Sequence, residues 1–152
     1  MKVYELMGPK LVTVSPKTPL REILPLMLRH HLNDILIVDG EQRLAGIVTY
    51  SDLCRKLLPS EGELMEHEEY IMTPQSMEDR IRDIVSVPVD QIMTRNVTTV
   101  SPDLEVLQAG ATMLAHRVKQ LPVVQDDTVI GIISHTDIGW GLMMLYAECM
   151  KG

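Results

Sequence analysis

Apolar residues at Leu20, Ile23, Leu24, Met27 and Leu28 follow the i, i+3, i+4, i+7, i+8 spacing of one helix face. Val106, Ala109, Gly110, Met113 and Leu114 repeat that stripe 86 positions later. A short β segment precedes each stripe, Leu11–Val14 and Val97–Val100, and each is followed by Ser-Pro. Thr18-Pro19 supplies an N-cap and a first-turn proline for the first helix, and Pro25 within its pattern predicts a kink or a break. After each helix come two apolar runs of strand length, Ile35–Val38 with Leu44–Thr49, and Leu121–Val124 with Val129–Ser134. They are joined by Asp39-Gly40-Glu41-Gln42 and Asp126-Asp127, residues that favour turns. A second helix is expected from Ser51 and from Thr136. Each unit reads β-α-β-β-α, and the fold class is α+β.

The two units are copies. Thr13-Val14-Ser15-Pro16 matches Thr99-Val100-Ser101-Pro102 letter for letter, and Met7, Met27-Leu28, His30 and Val38 fall on Met93, Met113-Leu114, His116 and Val124. One residue fewer in the turn after Val124 shifts the offset to 85, which carries Gly46-Ile47 onto Gly131-Ile132 and Asp52 onto Asp137. The expected organisation is a first repeat over 1–58, a connector over 59–87 and a second repeat over 88–152.

A chain of 152 residues, 45% hydrophobic and 23% charged, has the make-up of a globular protein with a real core. Phe is absent and aromatics are 3%, so the core must be aliphatic. The net charge of −7 argues against a general nucleic-acid binder, because neutralising phosphates needs clustered Lys and Arg. Much of that charge lies in the connector, where eight carboxylates face Arg80 and Arg82. That stretch reads as a solvated surface or as a docking surface for a basic partner. Cys54 and Cys149 form no CxxC pair, no apolar run is long enough to span a membrane, and residues 1–5 form no signal peptide. A cytoplasmic setting is expected.

Candidate chemistry ends each third strand. Gly46-Ile47-Val48-Thr49-Tyr50-Ser51-Asp52 and Gly131-Ile132-Ile133-Ser134-His135-Thr136-Asp137 share one pattern: Gly, two aliphatics, a hydroxyl, two residues, then Asp at a helix start. Glycine lets another group approach the backbone closely. The hydroxyl and the free N–H groups of a helix start suit a phosphate oxygen. A carboxylate three residues on can accept both hydroxyls of a ribose. The same Thr/Ser-x-x-acid spacing is also a capping box, and both roles fit one Asp only if the cap is released or shared.

These segments, the Val-Ser-Pro openings and Leu121-Pro122-Val123-Val124 resemble a tandem pair of cystathionine-β-synthase (CBS) domains, a Bateman module. The resemblance covers both repeats. It implies two repeats packed by their sheets about a pseudo-two-fold axis, with two clefts for AMP, ADP, ATP, S-adenosylmethionine or a related adenosyl ligand, and a disc-shaped homodimer. Carried over by position, Asp52 and Asp137 would hold ribose, Thr49 and Ser134 would face phosphate or ribose with Tyr50 beside Thr49, and Val12, Thr98, Val48 and Ile133 would border adenine. Lys119 stands where the family often has a phosphate-binding cation, whereas Asn33-Asp34 stands there in the first repeat, and Leu36 replaces the proline at Pro122. The resemblance leads us to expect phosphate in the cleft of Asp52, with Lys119 and His135 reaching across. The cleft of Asp137 is expected to be empty or to take an uncharged adenosyl group.

His30-His31, His67, His116 and His135 lack metal-ligand spacing, so no metal is expected. His30 and His116 match between repeats and suggest packing or a phosphate-facing role. Cys54 reads as a small buried hydrophobe, and Leu142-Met143-Met144-Leu145 as a packed or dimer-forming helix. No nucleophile–base pair, catalytic carboxylate pair or P-loop is present, so no catalytic cofactor is expected. The expected function is a non-enzymatic adenosyl-ligand sensor that signals to a separate effector protein. A ligand-independent interaction module with vestigial clefts is the alternative.

Overall fold

The computed structural model describes residues 1–8, 12–71 and 73–151, without the side chains of 67–71. Leu11 of the expected first strand, and the side chains of His67, Glu68 and Glu69 in the connector, lie outside the described residues. The order is α1 (Val3–Leu6), β1 (Thr13–Val14), α2 (Leu20–His30), β2 (Asp34–Val38), β3 (Leu44–Thr49), α3 (Tyr50–Leu57), α4 (Glu61–Ile71) and α5 (Pro74–Ile84). A 3₁₀ turn over Val89–Gln91 follows, then α6 (Val106–His116), β4 (Gln120–Gln125), β5 (Thr128–Ser134) and α7 (His135–Cys149). The class is α+β, with two small sheets.

In the first sheet β2 is central, with β1 parallel to it through Thr13–Leu36 and Val14–Ile37 and β3 on its other side. The second sheet pairs β4 with β5 in antiparallel fashion, and its register shifts between Val123 and Val124. Asp126 and Asp127 both take left-handed φ values, 49° and 62°, which match the twist of a two-residue hairpin. The expected strand over Val97–Val100 is reduced to one parallel bridge between Val100 and Val123. Both stripe-bearing helices end alike: His31 and Arg117 follow them in the left-handed conformation, and the next N–H returns to Met27 or Met113.

Of the kink or break expected at Pro25, the break does not occur: α2 runs through from Leu20 to His30. Thr18 is not its N-cap. Pro19 holds that place without a side-chain bond, and the Leu20 and Arg21 N–H groups go instead to the Val87 and Val85 carbonyls. Backbone acceptors brought in from 67 and 64 residues away have replaced the local cap.

That substitution reflects a wider exchange. Contacts divide the chain into two units, one of residues 13–40 and 45–96, the other of residues 1–12, 41–44 and 97–152. The packing units therefore cross the repeat boundaries. Val89 donates its N–H to Thr18 O and Asp90 to Pro16 O, while 86 positions earlier Val3 donates to Leu104 O and Tyr4 to Pro102 O. The first N–H of α6 goes to Met1 O, the counterpart of the Leu20–Val87 bond. Thr94 bridges Ile47 on β3, and Gly8 bridges Ile132 on β5. Each repeat thus gives its opening segment to the other repeat's helix and strand.

The close approach expected at Gly46 and Gly131 is taken by these exchanged segments. A Cβ on Gly46 would lie 2.5 Å from Met93 Sδ and 2.8 Å from Thr94 O, and one on Gly131 would lie 2.9 Å from Met7 Sδ and 3.0 Å from Gly8 O. Each unit has its own aliphatic core. One contains Leu20, Ile23, Met27, Ile35, Ile37, Val48, Leu53, Ile84, Val89 and Met93. The other contains Val3, Val100, Val106, Ala109, Met113, Leu121, Val123, Ile133 and Ile138.

The connector is helical. Thr73 caps α5 by accepting the Ser76 N–H, and Ile84 at its end enters the first core. Ser60 and Glu63 bond reciprocally at the start of α4, and Arg80 of α5 pairs with Glu63 at 2.9 Å. The Ser60 N–H, then Arg80, hold the Glu63 carboxyl down at about 2.

Candidate functional site

In both Gly-h-h-Thr/Ser-x-x-Asp segments the hydroxyl and the carboxylate start the following helix. Thr49 donates its N–H and its hydroxyl to Asp52 Oδ2, at 2.9 and 3.0 Å, and Asp52 N–H returns to Thr49 Oγ1 at 3.3 Å. Ser134 does the same with Asp137 Oδ2 at 2.7 and 2.7 Å, and Asp137 N–H returns to Ser134 Oγ at 3.1 Å. The capping-box reading therefore holds twice, with Thr49 and Ser134 as N-caps and each helix beginning one residue earlier than expected.

The cap engages only Oδ2 of each carboxylate, so any ligand reading rests on Oδ1. Here the copies differ. Asp52, 9% exposed, gives Oδ1 to Arg55 Nη2 at 2.7 Å. Asp137 Oδ1 has no hydrogen-bond or ion-pair partner among the described residues, and the residue matching Arg55 at offset 85 is Trp140. A carboxylate oxygen with free lone pairs can accept two neighbouring hydroxyls.

The surroundings differ in charge as well. Tyr50 N–H donates to Asn33 O at 3.0 Å, and His135 N–H to Lys119 O at 2.8 Å, so each helix start abuts the residue leading into the middle strand. In one unit the next residue is Asp34, whose carboxyl burial pushes up to about 6. In the other, Lys119 and His135 join Arg117 in lining a pocket of about 640 Å³ whose remaining walls are apolar side chains such as Leu114, Ile138 and Leu142.

The proposed binding residues fall into two groups. Thr49, Tyr50, Asp52 and Val48 belong to the unit of residues 13–96, while Val12, Thr98, Lys119, Ile133, Ser134, His135 and Asp137 belong to the other. Val48 and Ile133 are fully buried and their side chains sit in the two cores, whereas Val12 and Thr98 are half-buried. Sequence reasoning missed Arg55, which was legible as a cation three residues after Asp52 on a helix, and it read Asp34 only as a departure from the cation expected there, not as a buried acid opening an apolar strand.

Other expectations need correction. Cys54 is exposed, because Asp52 and Leu53 turn toward the protein and Cys54 lies one step round the helix. His30 and His116 are exposed last residues of α2 and α6, where a helix C-terminus favours a cation; neither packs. α7 buries only Ile138 and Gly141, so of the two readings of its Met-rich end, packed or dimer-forming, packing within the chain is the one corrected. Among the described residues no three His, Cys, Asp or Glu side chains gather to hold a metal ion, and no helix is long and apolar enough to cross a membrane.

Comparison with known proteins gives the geometry a context. The chain is 28% identical over 138 residues to inosine-5'-monophosphate dehydrogenase of Methanocaldococcus jannaschii, covering 90% of this chain but 23% of that protein. Its fold is similar to that of CBSX2 solved in complex with AMP (TM-score 0.73, 22% identity, 95% of this chain and 98% of that one). It is similar too to the CBS domain pair of protein MJ0100 solved with 5'-methylthioadenosine and S-adenosyl-L-methionine (TM-score 0.69, 23% identity, 93% and 95%). The family model for the CBS domain matches twice, over residues 3–59 and 81–138. The internal repeat, the doubled capping loops and those two matches coincide: the chain belongs to the CBS domain family and carries its domain in tandem.

Proposed function

We propose that this chain is a non-enzymatic sensor that binds an adenosine-containing ligand at its two strand-to-helix loops, Thr49–Asp52 and Ser134–Asp137. The observation that carries the reading is the unspent Oδ1 of Asp137, on a loop where the Ser134 hydroxyl and N–H and the Asp137 Oδ2 and N–H are already engaged in the cap. A preset carboxylate beside helix N–H groups, with Lys119 adjoining, suits a ribose carrying an anionic group. The ligands named for the two similar structures, AMP in one and methylthioadenosine with S-adenosylmethionine in the other, are of this class. Two free cysteines fit a cytoplasmic setting. Repeats 1–58 and 88–152, with their connector, act here as one ligand-responsive module serving a separate effector protein.

The test is a thermal-shift screen against AMP, ADP, ATP, S-adenosylmethionine and methylthioadenosine. Ligand at 100 times its dissociation constant stabilises the native state by about 2.7 kcal/mol. A shift that Asp137→Asn removes supports the sensor. No shift from any of them at millimolar concentration overturns it.

A specific observation favours a companion role in self-association. Leu107 and Leu114 on α6, and Trp140, Met143 and Tyr146 on α7, are large apolar side chains left exposed on two helices that pack together. We assign this face to a homodimer. Should the ligand screen be silent, dimerisation without a ligand is the reading that remains.

A further inference from the structure

We propose that Arg55 is a specificity-determining latch that makes the two adenosyl loops unequal: it competes with a ligand's ribose hydroxyls for Asp52 Oδ1, so the Asp137 loop fills first. The inference rests on the adenosyl reading above and extends it to the order and selectivity of filling. The two caps have the same bonds and engage the same oxygen, which leaves Oδ1 as the variable. On Asp52 it is held by a guanidinium at 2.7 Å, and on Asp137 the matching position is Trp140, which carries no charge.

Arg55 is suited to reversible release. Its side chain is 73% exposed while Asp52 is 9% exposed, so the guanidinium covers an otherwise buried carboxylate from the solvent side. Its Nε also bonds Ser51 O at 3.2 Å, which holds the head group over the loop. A neutral diol approaching Asp52 must replace a charged donor with hydroxyls. A phosphorylated ligand has a compensation, because the displaced guanidinium becomes a cation for the phosphate. The Asp52 loop should therefore discriminate against uncharged adenosyl groups, and the Asp137 loop should not. This order differs from the sequence expectation, which gave the Asp137 cleft the lesser role and did not include the Arg55 pair.

The probe is adenosine, which carries no phosphate, titrated into the full chain. Trp140, the sole tryptophan, sits one helical turn after Asp137 and serves as the fluorescence probe for that loop, at concentrations where sedimentation shows the oligomeric state unchanged by adenosine, while calorimetry counts all sites. The wild-type protein is expected to show a tighter event that moves Trp140 emission and a weaker or undetected event that does not. Arg55→Gln is expected to tighten the second event two- to fivefold, the range of one exposed ion pair, or to bring it into view, while leaving the Trp140-linked event unchanged. Circular dichroism of the variant checks that α3 persists. The latch is overturned if Trp140 follows the weaker event, or if Arg55→Gln leaves the second event unchanged or weaker. Absence of binding by adenosine and AMP alike, in both proteins, overturns the adenosyl reading itself and the latch with it. Binding that ignores Arg55 overturns the latch alone.

Discussion

Asp34 opens an otherwise apolar strand, and its carboxyl is raised to about 6 by burial. A carboxyl whose folded pKa lies above its unfolded value binds its proton more tightly in the native state. Its charge is a cost at neutral pH, complete above about 6 and relieved as pH falls toward 4. Glu63, held near 2, acts with opposite sign; its contribution is intact above its usual 4.5 and lost only in stronger acid. The window between pH 6 and 4.5 therefore belongs to Asp34. Melting temperature is expected to rise on acidification from pH 7 to 5. Asp34→Asn should stabilise the protein at pH 7 by about 1–2 kcal/mol, allowing for partial exposure, and flatten that profile. A pH series of melts on the two proteins checks it. Sequence could show that an acid occupied this position, but its desolvation depends on neighbours that only the fold supplies.

Local pattern read well where a helix or strand is held by its own residues. The stripe helices, the middle strands, the Asp126-Asp127 turn and the Thr49 and Ser134 loops lie within a residue or two of expectation because alternation, turn chemistry and caps act over a few positions. It failed where the partner is remote. Thr18 was the right residue type for a cap, yet Val85 and Val87 supply the acceptors. Gly46 was read for the room it gives a ligand, and Met93 and Thr94 occupy that room. Gly46→Ala would press a methyl against the Thr94 carbonyl, which is backbone and cannot swing away. A loss of about 1–3 kcal/mol is expected in urea unfolding, with the exchanged Met93–Thr94 segment the first to gain hydrogen exchange.

For the molecule as a whole, repetition in the sequence revealed how many domains there are but not which residues pack together. A repeat reports ancestry in chain order, whereas packing is decided by where each opening segment finds its acceptors. The apolar face of α6 and α7 carries the prediction at this scale. Sedimentation should give about twice the 17.1 kDa chain mass. Leu114→Glu combined with Met143→Glu, both more than 60% exposed, should return the single-chain mass with an unchanged circular dichroism spectrum. A single-chain mass for the unsubstituted protein would remove the dimer assignment.

The exchange of opening segments also sets an order on synthesis. The unit built from residues 13–40 and 45–96 has all its strands, helices and exchanged turn once residue 96 has cleared the ribosome. The other must hold Val3 and Met7 in reserve until α6, β4 and β5 have been made. At roughly 5–20 residues per second the stretch from Met7 to Ser134 takes about 6–25 seconds. During that time Val3 and Met7, made before the rest of their unit, have no partner, and a nascent-chain pause beyond residue 96 should yield one folded unit with residues 1–8 still unpaired.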